Sequence, residues 1–199
     1  MTAQELQEEL VRRVREQGKE FIIDYENEQV IADLCHYFTD TATQNIDPDK
    51  GLFIWGGIGS GKTFLMNLLR INPKQNYKVA DCAVIASEFA RNGEEALDKY
   101  CQVMEFTDFT GKPKTMRSIK PYCFDDLGTE NDKKHFGTDL NVMLDIMLRR
   151  YSKGEFYKTH ITSNVSADQL KDKYGPRFTS RLKEMFNFIN FLDAKDRRK

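Results

Sequence analysis

The sequence predicts an α/β fold: a three-layer sandwich around an open, five-stranded parallel sheet. Three observations carry that prediction. Short apolar runs alternate with amphipathic stretches along most of the chain, as parallel strands joined by crossover helices require. One apolar run, Gly51-Leu-Phe-Ile-Trp55, leads straight into the octapeptide GGIGSGKT, Gly56 to Thr63, and then into Phe64-Leu-Met-Asn-Leu-Leu69. Two later strands end in polar side chains, Asp125-Asp126 and Ser163-Asn164. In open parallel sheets, ligands gather at the carboxyl ends of the strands.

The elements follow in order. Two helices open the chain, near residues 3–18 and 27–39, the second with Val30, Ile31, Leu34 and Phe38 on one face. The first strand spans 52–55 and a helix covers 62–70. Asn72-Pro73 breaks the chain before a second strand, Tyr77–Asp81, and a helix near 87–101. Residues 105–121 read as irregular, and Tyr122–Asp125 as the third strand. Leu140, Met143, Leu144, Met147, Leu148 and Tyr151 form an i, i+3, i+4 stripe, which predicts a core-packed helix over 138–151. Thr159–Thr162 is the fourth strand. Helices over 166–173 and 176–184 lead to the fifth, Phe186–Leu192. Gly175 ends the first of these helices, and Pro176 suits the first position of the second.

The octapeptide fills every fixed position of a phosphate-binding loop, and its setting between strand and helix is the required one. Gly56, Gly57, Gly59 and Gly61 are expected to let the backbone reach positive φ and wrap phosphate oxygens. Ile58, Ser60 and Phe64 complete the loop and its exit. Loop N–H groups and the following helix N-terminus present positive partial charge to phosphate. Lys62 brings a mobile full charge, and the Thr63 hydroxyl suits a Mg2+ ion. The bland alternative is a glycine-rich structural turn. In this context the loop implies a nucleoside triphosphate, with ATP and Mg2+ as the expected cofactors.

Composition narrows the class. With 199 residues and 40% apolar content, the chain can bury one domain core, and 31% charged residues solvate its surface. No run reaches the roughly 18 apolar residues of a membrane helix, and the charged amphipathic N-terminus does not read as a secretory signal. Cys35, Cys82, Cys101 and Cys123 lack the spacing of a zinc site or a disulfide framework, so a cytoplasmic protein is expected. His36, His135 and His160 are isolated and read as structural. The net charge of −1 hides an asymmetry. Acids dominate the first fifty residues, whereas Lys171, Lys173, Arg177, Arg181, Lys183, Lys195, Arg197, Arg198 and Lys199 make the last thirty basic. Head-to-tail contact between subunits, a nucleic-acid face and plain solvated helices would all produce this pattern.

The second half of the site lies in Pro121-Tyr-Cys-Phe-Asp-Asp-Leu-Gly-Thr-Glu130. An apolar strand ending in acids, expected beside the phosphate-loop strand, delivers carboxylates to the metal and the γ-phosphate. Asp125 would organise the metal's water shell, and Asp126 would orient or deprotonate the attacking water. Otherwise the two acids are turn or cap residues. Asn164 could bond the γ-phosphate or the water, or cap the helix that starts near Ser166. Arg177 and Arg181 are i, i+4 on one short helix, where they could serve a neighbour's phosphate or simply form surface ion pairs.

Together, GLFIWGGIGSGKT, FDDLG, ITSN and the RFTSRL helix resemble, in order and spacing, the AAA+ ATPases of the DnaC-type helicase-loader and IstB-type transposition-helper clade. The resemblance covers about residues 45–193, leaving 1–44 as an N-terminal helical segment ahead of a 45–199 P-loop domain. It implies an ASCE core with Lys62 and Thr63 as the Walker A pair and Asp125 and Asp126 as Walker B. Asn164 would be sensor 1 and Arg181 the arginine finger, with Arg177 beside it. It further implies an ATP-dependent homo-oligomer, single-stranded DNA, and a replicative helicase or other replication or transposition protein as partners. Two departures stand out. The second Walker B acid is aspartate where many AAA+ proteins have glutamate, which makes Glu130 a reserve candidate. The sequence after strand five leaves no room for a helical lid, as in lidless members of the clade.

Three functions compete. A DNA-associated ATPase gains support from the basic stretch Gly111-Lys-Pro-Lys-Thr-Met-Arg-Ser-Ile-Lys120 near Phe106 and Phe109, since basic side chains with nearby rings suit single strands. A solvated loop would look the same. A P-loop kinase of a small molecule would need an arginine-bearing lid, for which only Arg177 and Arg181 stand near. A weakly hydrolysing nucleotide-dependent scaffold is favoured if Asp126 falls short of the water.

Overall fold

A computed structural model of the protein describes residues 1–107, 113–130, 133–135 and 138–191. Five parallel strands form the central sheet: β1 (Gly51–Gly56), β2 (Lys78–Asp81), β5 (Tyr122–Asp125), β8 (Thr159–Ser163) and β9 (Phe186–Phe191). Their spatial order is β2-β5-β8-β1-β9. One expectation is corrected here. The acid-bearing strand β5 is not the neighbour of the phosphate-loop strand, because β8 pairs with both and lies between them.

Strand alternation sorts the core into two faces. Leu52, Ile54, Cys123, Ile189 and Phe191 look toward α1 (Ala3–Glu16), α2 (Glu28–Phe38) and α3 (Lys62–Leu68). Phe53, Tyr122, Phe124, Ile161 and Phe186 look the other way. They meet α4 (Cys82–Asn92), α5 (Glu94–Cys101), α6 (Val142–Tyr151), α7 (Ala167–Tyr174) and α8 (Pro176–Met185). Leu6, Leu10 and Val14 of α1 are fully buried, so the N-terminal helices share the core of the sheet they cover. The connections change face between β1 and β8: α3 leaves β1 on one side and α7 leaves β8 on the other. That reversal opens a crevice at the carboxyl ends of β1 and β8, the place where doubly wound sheets bind ligands.

Several elements differ from the sequence reading. The helix expected near 87–101 is two helices, broken at Gly93, and α4 starts directly at Cys82 because the Asp81 carboxylate accepts the Val84 N–H at 2.9 Å. The stretch taken as irregular holds an antiparallel hairpin, β3 (Val103–Thr107) with β4 (Pro113–Ile119). Its lysines masked strands rich in β-branched and aromatic residues, and Pro113 sits at a strand start, where a missing N–H is tolerated. The helix expected from 138 begins at Val142, capped by Asn141, while Lys133–His135 pairs with Thr138–Leu140 as β6 and β7.

The buried face of α6 also runs differently from the predicted stripe. Met143, Ile146, Met147 and Arg150 face inward, and Leu144 and Leu148 sit at the margin. Arg150 is 1% exposed and forms no ion pair among the described residues. Its guanidinium donates instead to Thr159 Oγ1 (2.8 Å) and to the carbonyls of Tyr100 (2.7 Å), Lys120 (3.0 Å) and Lys158 (2.7 Å). Burial pulls its pKa down to about 10, which leaves it cationic at neutral pH. One side chain thereby ties α5, the hairpin exit and the start of β8 to α6.

On the opposite face, His160 of β8 is enclosed edge-on by the rings of Tyr37, Phe38 and Tyr77, and its Nδ1 accepts the Leu52 N–H at 3.3 Å. Burial, reinforced by the charges of Arg150 and Lys74, pulls its pKa down to about 3. The unfolded chain binds this proton near pH 6.5 and the folded chain does not. Stability is therefore complete above pH 6.5 and is lost as pH falls from there toward 3. At pH 5 this one group should cost about 2 kcal/mol. Urea titrations of the wild type and His160→Asn between pH 7 and 4.5 test it: the variant should lose ~1.4 kcal/mol per pH unit of slope, and equal slopes would refute the assignment.

Candidate nucleotide site

The loop between β1 and α3 forms the mouth of the crevice. Of its four glycines, Gly59 (φ +82°) and Gly61 (φ +99°) take the left-handed conformation. Gly56 has a different reason to be glycine: a Cβ there would lie 2.5 Å from Cβ of Phe191 on β9. Gly57 and Ile58 are exposed, Gly59 is half-buried and Ser60 is buried. Lys62 is 5% exposed, and its ammonium is held inside the loop. It donates to the carbonyls of Gly56 (2.9 Å) and Gly57 (2.8 Å) and to Ser60 Oγ (3.4 Å). Burial lowers its pKa, while Asp126 and Asp125 oppose that shift. Phe64 stands at the rim with its ring against Phe21, which lies between α1 and α2.

Thr63 connects the loop to the acids. Its hydroxyl lies 2.9 and 3.0 Å from the two carboxylate oxygens of Asp125, which is itself buried. Asp125 Oδ1 also accepts the Thr162 hydroxyl at 2.6 Å, and Thr162 Oγ1 in turn accepts the Asp126 N–H at 2.9 Å. Asp126 has φ +56° and opens a tight turn, with Thr129 N–H and Oγ1 bonded back to its carbonyl. Burial raises the Asp126 carboxyl, the charge of Asp125 raises it further, and Lys62 pulls it back. Thr162 was not singled out by sequence reasoning. The signal available was a hydroxyl two residues before Asn164, on the strand now seen to lie between loop and acids.

Glu130 stands elsewhere. It is 3% exposed, with Oε2 accepting the Gly128 N–H at 2.9 Å and Oε1 accepting the Tyr174 hydroxyl. Lys173 lies 3.5 Å away and donates to the carbonyls of Gly128 and Glu130. Both carboxylate oxygens are thus engaged in bracing the turn against α7.

Asn164 follows β8 at the crevice and is half-buried. The helix cap it might have supplied is provided by Ser166, in a capping box with Gln169. Arg177 is exposed on α8, and the Arg181 guanidinium lies 4.4 Å from the Tyr151 ring centroid. Among the described residues neither arginine has a carboxylate partner. In the basic stretch, Lys112 and Phe109 lie outside the described residues, as do Lys195, Arg197, Arg198 and Lys199. Phe106 falls on β3, Lys114 and Arg117 fall on β4, and Lys120 donates to Gln102. No described helix is long and apolar enough to cross a membrane.

The chemistry of the donor set fits a hard divalent cation. A hydroxyl and a carboxylate meet at the loop exit, and both are oxygen donors of the kind that suits Mg2+.

No protein-family model matches the chain, and no curated protein matches it. Solved structures do. AMPPCP-bound DnaA from Aquifex aeolicus aligns over 89% of this chain and 50% of its own, with TM-score 0.54 and 18% identity. A DNA replication initiation factor aligns over 85% of this chain and 47% of its own, with TM-score 0.54 and 17% identity. The chain has this fold. It spans about half the length of each of these proteins.

Lys62 touches only loop groups, so Lys62→Ala should keep the fold while weakening ATP binding about 10- to 100-fold, the effect of losing a charged donor worth ~1.5–3 kcal/mol. Calorimetry with ATP and a melting curve check both halves. Unchanged affinity in a folded variant would rule out the phosphate-loop reading.

Proposed function

We propose that this chain binds Mg-ATP and hydrolyses it to ADP and phosphate. The observation that supports this most is the Thr63 hydroxyl bonded to the buried Asp125 carboxylate, with Asp126 next in the chain and the Lys62 ammonium held inside the phosphate loop. In this reading the loop from Gly56 to Thr63 cradles the phosphates, and Lys62 exchanges its carbonyl partners for phosphate oxygens. Thr63 holds Mg2+ with Asp125 behind it, and the bound ion neutralises phosphate charge. Asp126 takes the proton of the attacking water, a task that its raised pKa favours. Asn164 positions that water or the γ-phosphate.

On the resemblance of its motifs, we place the activity in a DNA-associated AAA+ protein, helicase-loader-like or transposition-helper-like, that oligomerises on ATP. Arg181, with Arg177 beside it, is then donated to ATP held by the neighbouring subunit. Two arginines on one outer helix, without carboxylate partners among the described residues, support this assignment. The basic stretch that holds Lys112, Lys114, Arg117 and Lys120 is the segment we assign to single-stranded DNA.

Two experiments test the reading. Asp126→Asn should keep Mg-ATP affinity but lower turnover by about 10²–10⁴-fold, the usual worth of a general base. The acid limb of the wild-type pH profile should be absent from the variant. Full turnover in Asp126→Asn would remove Asp126 from the chemistry.

Arg181→Ala should retain affinity and lose roughly 10- to 10³-fold in turnover. Mixing it with Lys62→Ala should recover activity, because one subunit supplies the competent loop and the other the arginine. Wild-type turnover that is independent of protein concentration and indifferent to Arg181 would leave a monomeric P-loop enzyme.

A further inference from the structure

We infer that Thr162 is the positioning residue of this site, setting the metal-side acid and the water-side acid with one hydroxyl. The inference rests on the ATPase reading and adds to it a residue outside the phosphate loop and the acid pair. The topology makes the requirement. The phosphate-loop strand and the acid strand never touch, because β8 runs between them, pairing Ile54 with Thr162 on one side and Phe124 with Ile161 on the other. The Thr63 hydroxyl reaches Asp125 directly, and the strand between the two halves adds a second hold, since Thr162 stands on β8 at the level of both.

The hydroxyl's hydrogen-bonding capacity is directed at the two acids. Thr162 is fully buried. Its single proton goes to Asp125 Oδ1 at 2.6 Å, and a lone pair receives the Asp126 N–H at 2.9 Å. The Thr162 carbonyl receives the next amide, Leu127 N–H, at 2.9 Å. The first bond fixes the Asp125 carboxylate with its oxygens toward Thr63. The second and third pin the backbone on both sides of Asp126, a non-glycine residue at φ +56°, a conformation that persists only where its surroundings enforce it. Metal geometry and water geometry thus share one anchor. Such partners behind a ligand are worth about 10- to 100-fold in metal affinity or activity.

Serine at this position would keep the hydroxyl and lose a methyl, whereas valine would keep the shape and lose the hydroxyl. The neighbouring Ser163 provides a control, since its hydroxyl bonds the same turn at the Leu127 carbonyl (2.7 Å) without touching either acid. The experiment measures ADP affinity with EDTA and with Mg2+, then ATP turnover, for wild type, Thr162→Val, Thr162→Ser and Ser163→Ala. Amide exchange at Asp126 and Leu127 is followed in the free proteins.

Thr162→Val should keep ADP affinity in EDTA, lose about tenfold or more of the gain that Mg2+ gives, and lose about 10- to 100-fold in turnover. Its Asp126 amide should exchange faster. Thr162→Ser should stay within about threefold of wild type, and Ser163→Ala should lower the melting temperature while keeping the Mg2+ gain. A Thr162→Val protein with wild-type Mg2+ gain and Asp126 exchange overturns the inference and leaves the ATPase reading standing. A Thr162→Ser protein as impaired as Thr162→Val also overturns it, since the methyl and not the hydroxyl would then matter. A wild type that binds no nucleotide overturns the ATPase reading, and this inference with it.

Discussion

Asp125 has to reach Thr63 across an intervening strand, and much of the site's architecture answers that constraint. The sheet order places β8 between loop and acids, so the strand that separates the two halves must also join them. Parallel pairing keeps the three carboxyl ends level: Trp55 lies beside Ser163, and Phe124 beside Ile161. Asp125 and Thr162 therefore reach the crevice at the height of the loop exit. A slip of one residue between β5 and β8 would turn Asp125 toward the opposite face, because side chains alternate along a strand. Register is thus a functional quantity here. It is held by Tyr122, Cys123 and Phe124, all buried, on alternating faces of the acid strand.

The same sheet carries buried polar groups at its other end, and they show how the register is held. Arg150 reaches through to Thr159 and three backbone carbonyls, while Asn187 bonds Asp47 N–H and the carbonyls of Asp47 and Gly51. A buried cation is costly unless its donors are satisfied, and oxygens from three separate segments satisfy Arg150. The start of β8 is fixed by Arg150 and His160, and its end by Thr162 and Ser163. That strand is consequently anchored at both ends. Its anchoring offers a physical reason why polar residues occur at four of the five positions of THITS, in a strand whose every residue is buried.

Much of this was legible in the sequence, for reasons that can be named. The phosphate loop is a local motif with apolar flanks, so its strand, turn and helix follow from neighbouring residues. Four of the sheet strands and most of the core helices were visible as apolar runs, and β8 as a strand ending in polar side chains. What failed was non-local or masked by composition. The spatial order of strands is set by crossover packing, so β8 could not be seen to stand between loop and acids. Arg150 broke the apolar stripe of α6 because its partners lie on three distant segments. Gly56 looked like a loop glycine, but its constraint comes from Phe191, 135 positions away. The β3–β4 hairpin was hidden by its lysines, and Glu130 read as a spare acid because Tyr174 and Lys173 are remote in sequence.

Glu130 carries the argument one step further. The turn that begins at Asp126 is fastened at both ends: Thr162 holds its first amides, and Glu130 holds Gly128 while Tyr174 and Lys173 hold Glu130. Tyr174 is the last residue of α7, and Gly175 alone separates it from α8, the helix of Arg177 and Arg181. The acids and the arginine helix therefore hang on one short chain of contacts, and a shift of the Asp126 turn cannot leave α8 unmoved without breaking a buried carboxylate's bonds. Losing one partner of such a group costs about 1–3 kcal/mol or more, comparable to a typical coupling energy between sites. In this arrangement both Glu130 oxygens are spent on the turn and α7, and Glu130 stands as a strut between the Asp126 turn and the segment that leads into α8.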